Sequence, residues 1–207
     1  CDKFCTFCVV PFTRGKERSR PPQQIVDEAK MLAGRGSKEI TLLGQTVNSY
    51  LHGNSYLHGE DGATVHMADL LYRLNDVDGL ERIRFVTSHP GDFRDEIFQA
   101  MRDLPKVCEY LHLPAQSGSN AVLQRMKRQY SVEVYEELIA RGREIVPNIT
   151  LASDFIVGFC GETDDDFQQT CDLLQESRFK NSFIFKYSER PGTKGATKYE
   201  DDVPDAV

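Results

Sequence analysis

Two spacings of apolar residues alternate along this 207-residue chain, and that alternation restricts its fold more than any other feature. After Pro21-Pro22, residues Ile25, Val26, Ala29, Leu32 and Ala33 recur at helix spacing until Gly34 and Gly36 stop the pattern. Residues 39–43 then read as a short buried strand ending in Gly44-Gln45. Residues 48–63 are rich in Asn, Gly, Ser and His and read as a loop. Met67, Leu70, Leu71 and Leu74 give a helix, residues 82–87 a strand, and Ser88-His89-Pro90-Gly91 a turn. Phe93, Ile97, Ala100 and Met101 give another helix, residues 107–113 a strand, and residues 119–127 a short helix. Ser131 caps a longer helix with Tyr135, Leu138, Ile139, Ile145 and Val146 on one side. Residues 150–157 read as a strand. Thr163 and Asp166 form a capping-box-like helix start that leads into Phe167, Cys171 and Leu174 at i, i+4 and i+7. Residues 181–187 are the last strand.

Strands that alternate with helices imply an α/β fold with parallel strands and right-handed crossovers. A barrel or partial barrel is favoured over an open sheet, although periodicity alone does not choose between them. In either case a ligand site lies at the carboxyl ends of the strands. The polar residues follow that rule. Gly44-Gln45 follows the first strand, Thr87, Ser88 and His89 the second, and Gln116, Ser117 and Gly118 the third. Residues 158–162 follow the fourth and residues 187–190 the fifth. Turns are polar in any case, so it is the series of five that points to a deep polar site.

Three cysteines stand in the first eight residues, as Cys1, Cys5 and Cys8. Three thiolates leave one position open on whatever metal they hold. Phe4 and Phe7 precede two of them and predict an apolar wall. A structural zinc site pairs its ligands and uses four; no fourth cysteine or histidine stands nearby. Six cysteines in 207 residues is ordinary density, which argues against a disulfide framework. An iron–sulfur cluster, whose ordinary ligands are cysteine thiolates, fits the spacing better, with zinc as the alternative. Cys108 and Cys171, on strand and helix patterns, read as core thiols.

With 40% hydrophobic residues the chain can bury a sizeable core, as one large domain or a piece of a larger protein. No apolar run approaches a membrane span and no signal peptide is visible, so the thiols point to a reducing, cytoplasmic compartment. A net charge of −7 argues against nucleic-acid binding by the whole surface. Charge is uneven, however. Arg14, Lys16, Arg18 and Arg20 form a basic run after the cysteines, while Asp164, Asp165 and Asp166 fit a helix start. The chain opens on Cys1, itself a candidate ligand, as expected of an excised core with sequence before it; the end at residues 201–207 reads as equally arbitrary.

The cysteine spacing resembles the signature of the radical S-adenosylmethionine enzymes. Longer stretches are more specific. Residues 5–15, Ser19-Arg20-Pro21, and residues 43–50, 111–119, 126–131, 154–163 and 187–193 are similar to the methylthiotransferases of that group, in the right order over nearly the whole chain. Within the family, Cys5-Thr-Phe-Cys-Val-Val-Pro11 is closest to the branch that modifies N6-dimethylallyladenosine in tRNA. The resemblance implies a partial parallel (β/α) barrel of the radical SAM type, lacking its first strand, with a core over residues 1–190. Residues 191–207 would lead to an RNA-binding domain outside this sequence.

Further expectations come from the resemblance. Cys1, Cys5 and Cys8 would hold a 4Fe–4S cluster whose fourth iron binds S-adenosylmethionine. Gly44 and Gln45 would meet the methionine amine, an amide oxygen being able to accept from an ammonium group. Gln116 and Ser117 would face the ribose or the methionyl moiety. Arg128 is the candidate partner of the methionine carboxylate, set against an exposed helix-end arginine as the plainer reading. Gly158 to Glu162 would pass the adenine, and Cys160 stands where the family often has proline. Arg14, Lys16, Arg18, Arg20 and Arg190 would meet tRNA phosphates, with Phe12 and Tyr50 stacking on a splayed base. A second 4Fe–4S cluster is expected in an amino-terminal domain outside this sequence, so the chain alone is expected not to complete methylthiolation. The expected partners are a tRNA anticodon stem-loop, a flavodoxin- or ferredoxin-type electron donor and a sulfur donor, with the protein a monomer. Competing functions are methylthiolation of threonylcarbamoyladenosine or of a ribosomal-protein aspartate, and a non-catalytic zinc-bearing RNA-binding module.

Overall fold

The computed structural model describes residues 1–53 and 64–204. In chain order its elements are α1 (Val10–Arg14), α2 (Pro22–Gly34), β1 (Glu39–Leu42), β2 (Leu51–His52), β3 (Val65–His66), α3 (Met67–Asn75), β4 (Arg82–Phe85) and α4 (Asp95–Asp103). They continue with β5 (Tyr110–His112), α5 (Asn120–Arg125), α6 (Val132–Ile145), β6 (Thr150–Val157), α7 (Asp164–Ser177), β7 (Asn181–Lys186) and α8 (Lys194–Lys198). Single 3-10 turns stand at Val47–Ser49 and Pro90–Asp92. The alternation expected from the sequence is present. α1, α8 and the two-residue pairing of β2 with β3 were not expected; each is too short to show a period. Of the predicted loop, residues 54–63 lie outside the described residues.

The chain divides into two compact units. The first comprises Cys1–Glu17, Leu113–Ala140 and Leu151–Val207; the second comprises Arg18–His112 and Arg141–Thr150.

In the second unit β1 and β4 pair in parallel from Glu39 opposite Arg82 to Leu42 opposite Phe85. Ile83, Phe85, Leu70, Leu71, Leu74, Ile97, Phe98 and Met101 are all buried. Leu70, Leu71, Leu74, Ile97 and Met101 are residues that the helix spacing selects, because it places their apolar side chains on one face; Phe98 lies outside that selection, and the selected Phe93 is half-buried ahead of α4. Burial of each large side chain contributes roughly 1.5–3 kcal/mol. Gly142 lets Phe98 lie close, since a Cβ there would stand 2.8 Å from the ring.

In the first unit β6 and β7 pair in parallel from Ala152 opposite Asn181 to Val157 opposite Lys186. The segment after β5 runs beside β6: the Leu113 N–H donates to Ala152 O at 2.8 Å and the Gln116 N–H to Asp154 O at 2.9 Å. Inside lies a hydroxyl network, in which Tyr135 and Ser153 both donate to Leu113 O, at 2.7 and 3.1 Å. On α7 the buried residues are Asp166, Thr170, Leu173 and Ser177. Phe167 is exposed and Cys171 half-buried, so the apolar stripe read from the sequence is out of phase. The cause is the 117–119 turn, whose hydrogen-bonding groups draw polar side chains to that face. Cys108 is likewise half-buried rather than core, whereas Cys160 is buried.

Candidate functional site

The cysteine loop belongs to the first unit and is held there by the residue between two of its cysteines. Thr6, itself buried, donates its hydroxyl to Arg125 O at 2.9 Å and its N–H to Met126 O at 3.0 Å. Its own carbonyl accepts from the Gly195 N–H at 2.7 Å. Phe7 packs against the buried group of Val122, Met126, Phe159, Cys160 and Tyr187. Phe7 therefore fastens the loop to an apolar group. Phe4 does not: it has φ +52°, is 43% exposed, and meets Phe12 edge-on at 6.2 Å. The Lys127 ammonium lies 5.9 Å from the Phe4 ring centre. Asp2 closes the loop by accepting from the Glu17 N–H at 3.2 Å.

All three cysteines are free thiols; Cys5 is buried and Cys1 and Cys8 are partly so. The Cys8 N–H donates to Cys5 O at 3.0 Å, which turns the two side chains into one neighbourhood. Burial raises the Cys8 pKa, opposed by a backbone hydrogen bond from Val10 and reinforced by Cys5. Among the described residues no group of three His, Cys, Asp or Glu side chains converges closely enough to hold a single metal ion.

Arg128 is buried at 7% exposure, so it is not the exposed helix-end residue of the plainer reading. It sits between two left-handed residues, Lys127 (φ +59°) and Gln129 (φ +31°). That backbone is rare for residues other than glycine and costs energy. Arg128 Nη1 donates to Cys5 Sγ at 3.4 Å, Nη2 to Pro114 O at 3.2 Å, and Nε to the Tyr130 hydroxyl at 3.0 Å. Burial works against the Arg128 charge, but Tyr130 and Cys5 carry its pKa upward on balance.

At the third strand end Gln116 also has positive φ, +74°, and is half-buried. Ser117 is 1% exposed, and its hydroxyl lies 3.3 Å from Thr170 Oγ1 and accepts from the Ser119 N–H at 3.1 Å. It is occupied within the turn. Gly118 permits that turn to touch α7, since a Cβ would stand 2.3 Å from Gln169 O. Ser119 caps α5 and donates to Asp166, whose other carboxylate oxygen accepts from the Thr163 N–H at 3.0 Å.

At the fourth strand end Gly158 and Gly161 have φ of +69° and +72°. Glu162 Oε2 accepts from the Gly158 N–H, and from the Phe159 N–H at 3.2 Å. Among the described residues its Oε1 is buried with no hydrogen-bond partner. Burial raises the Glu162 pKa against those two amides. Arg125 Nη2 donates to Gly161 O at 2.8 Å.

The remaining predicted residues are exposed or lie in the second unit. Gly44 and Gln45 are exposed at the end of β1 in the second unit. Beside them, Asn48 and His89 are buried and clasp each other: the Asn48 amide donates to His89 O at 2.9 Å and accepts from the His89 N–H at 2.7 Å. Arg14, Lys16 and Arg190 are exposed in the first unit, and Arg18 and Arg20 in the second. Arg20 pairs with Glu28 at 2.7 Å, and its carbonyl accepts from the Tyr50 hydroxyl at 2.8 Å. Phe12 is 61% exposed. Thr6, the close approach to α7 that Gly118 permits and the Asn48–His89 clasp were not assigned from the sequence, where Thr6 sits unmarked between two cysteines.

A family model for the radical SAM superfamily matches residues 1–174. The chain is 58% identical over 207 residues to the tRNA-2-methylthio-N(6)-dimethylallyladenosine synthase of Rhodopirellula baltica, covering 100% of this chain and 42% of that one. It is 52% identical over 206 residues to the protein of the same name from Roseobacter denitrificans, covering 100% of this chain and 46% of that one. The chain thus spans less than half the length of these curated relatives. Among solved structures, Streptococcus suis SuiB bound to S-adenosylmethionine matches with a TM-score of 0.64 at 12% identity, over 94% of this chain and 40% of that one. Coproporphyrinogen III oxidase (HemN) from Escherichia coli, a radical SAM enzyme, matches with a TM-score of 0.64 at 18% identity, over 99% of this chain and 46% of that one. These likenesses identify the α/β fold with parallel strands as the partial barrel of that type.

Proposed function

The chain belongs to the radical SAM superfamily, and on that footing we propose that it is the S-adenosylmethionine-cleaving core of a methylthiotransferase acting on N6-dimethylallyladenosine beside the tRNA anticodon. The observation that carries this reading is the cysteine loop: three free thiols, one of them buried against the guanidinium of Arg128. A structural zinc site uses four ligands, whereas the loop offers three thiols. A 4Fe–4S cluster takes one thiolate per iron, so its ligands stand apart; the donor set fits the cluster. Cys1, Cys5 and Cys8 would hold it.

When bound, the cluster and S-adenosylmethionine supply one-electron cleavage of a sulfur–carbon bond, and so a radical able to take hydrogen from an unactivated C–H. The chain's own residues bind, orient and exclude water. Thr6 and Phe7 fix the cysteine loop on α5 and the buried group beneath it. Gly158 and Gly161 let the backbone approach a nucleoside closely, and the orphaned Glu162 Oε1 is an acceptor left for a ligand N–H. Gln116, in its left-handed conformation, offers an amide at the same end of its strand. Gly44 and Gln45, in the second unit, would meet the methionine amine. Ser117, engaged with Thr170 and Ser119, serves the turn.

For tRNA, Arg14 and Lys16 follow the exposed Phe4 and Phe12, with Lys127 beside Phe4. Exposed aromatics among cations suit a splayed base and its phosphates; Arg18, Arg20, Arg190 and Tyr50 are further candidates. An electron donor, a sulfur donor and a second cluster complete the reading. Six free cysteines fit a reducing compartment such as the cytoplasm, and no described helix is long and apolar enough to cross a membrane.

The test is mass spectrometry of products formed by the full-length gene product, with S-adenosylmethionine and reductant. Three substrates are offered: stem-loops carrying dimethylallyladenosine or threonylcarbamoyladenosine, and a ribosomal-protein peptide. A methylthio adduct on the first alone is expected; an adduct on either of the others alone contradicts the substrate.

A further inference from the structure

Arg128 is a buried cation that meets no carboxylate among the described residues. Among the described residues its hydrogen-bond partners are a thiol, a carbonyl and a phenol, namely Cys5 Sγ, Pro114 O and the Tyr130 hydroxyl. Its guanidinium also lies 5.1 Å from the Tyr130 ring centre. Burying a charge is costly unless an opposite charge meets it. Of these groups, Cys5 is the one that becomes a full anion in the role proposed above, because only the thiolate binds metal.

The surroundings hold the guanidinium on that sulfur rather than leaving it free to swing. Lys127 and Gln129 carry positive φ on either side of it, which sends Lys127 outward over Phe4 and Arg128 inward. The Arg128 N–H donates to Leu123 O at 2.9 Å, fastening its backbone to the end of α5. The Tyr130 hydroxyl, which accepts from Nε, donates onward to Ala115 O at 2.7 Å. The same helix end accepts both hydrogen bonds from Thr6. The thiol and the guanidinium are thus positioned from one support.

We propose that Arg128 is a positioning residue that acts through Cys5, holding that sulfur and favouring the reduced form of the cluster it ligates. The inference rests on the reading of the cysteine loop given above. Hydrogen bonds to cluster sulfurs and local charge are among the factors that set cluster potentials. The step is the uptake of one electron from a low-potential reductant. No bond forms or breaks and no proton moves, and the added negative charge falls next to a fixed positive one. Reduction must precede cleavage of S-adenosylmethionine, so Arg128 would make that electron easier to supply. This differs from the carboxylate-pairing role suggested by the sequence, in which Arg128 would act on the co-substrate directly.

The test is an EPR-monitored redox titration of reconstituted full-length protein, without S-adenosylmethionine, comparing wild type with Arg128→Met and Arg128→Lys. Iron and sulfide content and far-ultraviolet circular dichroism are measured alongside. In Arg128→Met the oxidised-to-reduced ratio at the wild-type midpoint is expected to rise about tenfold, a shift of ~59 mV to lower potential for one electron. Arg128→Lys keeps the charge but loses the planar fork, and is expected to shift by less in the same direction. Should Arg128→Met take up no iron, Arg128→Lys decides. An unchanged midpoint in an iron-loaded variant overturns the proposal, as does weaker binding of S-adenosylmethionine without a change in midpoint. A wild-type protein that takes up no iron instead overturns the cluster reading on which the proposal rests.

Discussion

The hydroxyl of Thr6 donates to the carbonyl oxygen of Arg125 at 2.9 Å, joining the cysteine loop to the last residue of α5. Two backbone hydrogen bonds of Thr6, to Met126 and from Gly195, reinforce the same attachment. The side-chain bond contributes about 1 kcal/mol. Thr6→Val removes it and leaves both backbone bonds. The variant should fold with an unchanged circular dichroism spectrum and lose iron to a chelator several-fold faster than wild type. Equal rates of iron loss would show that the hydroxyl does not hold the loop.

Gly118 stands where any larger residue collides with α7. A Cβ would lie 2.3 Å from Gln169 O and 2.6 Å from Thr170 Cα, both backbone atoms that cannot move aside singly. Gly118→Ala should therefore lower stability by about 1–3 kcal/mol, the usual range for overpacking. Chemical denaturation reads the change directly; a loss under about 0.5 kcal/mol, as for an ordinary surface substitution, contradicts the close contact.

Asp166 and Glu162 should tilt the acid limb of stability in opposite directions. Burial raises the Asp166 pKa, but hydrogen bonds from Ser119 and Thr163 and the nearby Arg125 bring it below the ordinary aspartate value on balance. Its contribution is present above the unfolded pKa and is lost as pH falls through the folded one. Burial raises the Glu162 pKa, so its contribution is full below the unfolded pKa and is lost as pH rises through the folded one. Thermal unfolding is followed from neutral pH down through the ordinary carboxylate range. The destabilisation of Asp166→Asn should shrink toward acid, and that of Glu162→Gln should shrink toward neutral. Curves parallel to wild type for both variants would contradict the assignment.

The legible part of the fold was the part written in apolar period. Met67, Leu70, Leu71 and Leu74 were chosen by spacing and all four are buried. On α7 the same reasoning chose Phe167 over Thr170, because it weighs side-chain polarity and not the neighbour. The neighbour there is a turn in which Gly118 brings the backbone close and Ser117 and Ser119 offer hydrogen-bonding groups, so polar residues face inward. The cysteines could be read from their spacing. The burial of Arg128 could not, since Met126-Lys-Arg-Gln129 serves equally as a ligand-facing arginine and as an exposed helix end. Only the two left-handed residues around Arg128 turn it inward, and no residue type there announces them. The Asn48–His89 clasp joins residues 41 apart and left no local signal.

The most direct test of the central claim is anaerobic reconstitution of the full-length protein with iron and sulfide. Metal analysis follows, with detection of 5′-deoxyadenosine after reduction in the presence of S-adenosylmethionine. The expected result is cluster iron at Cys1, Cys5 and Cys8 together with deoxyadenosine, and loss of both that iron and the deoxyadenosine in Cys5→Ala. Deoxyadenosine formed undiminished by Cys5→Ala, or a folded protein that takes up zinc in place of iron and forms none, would contradict it.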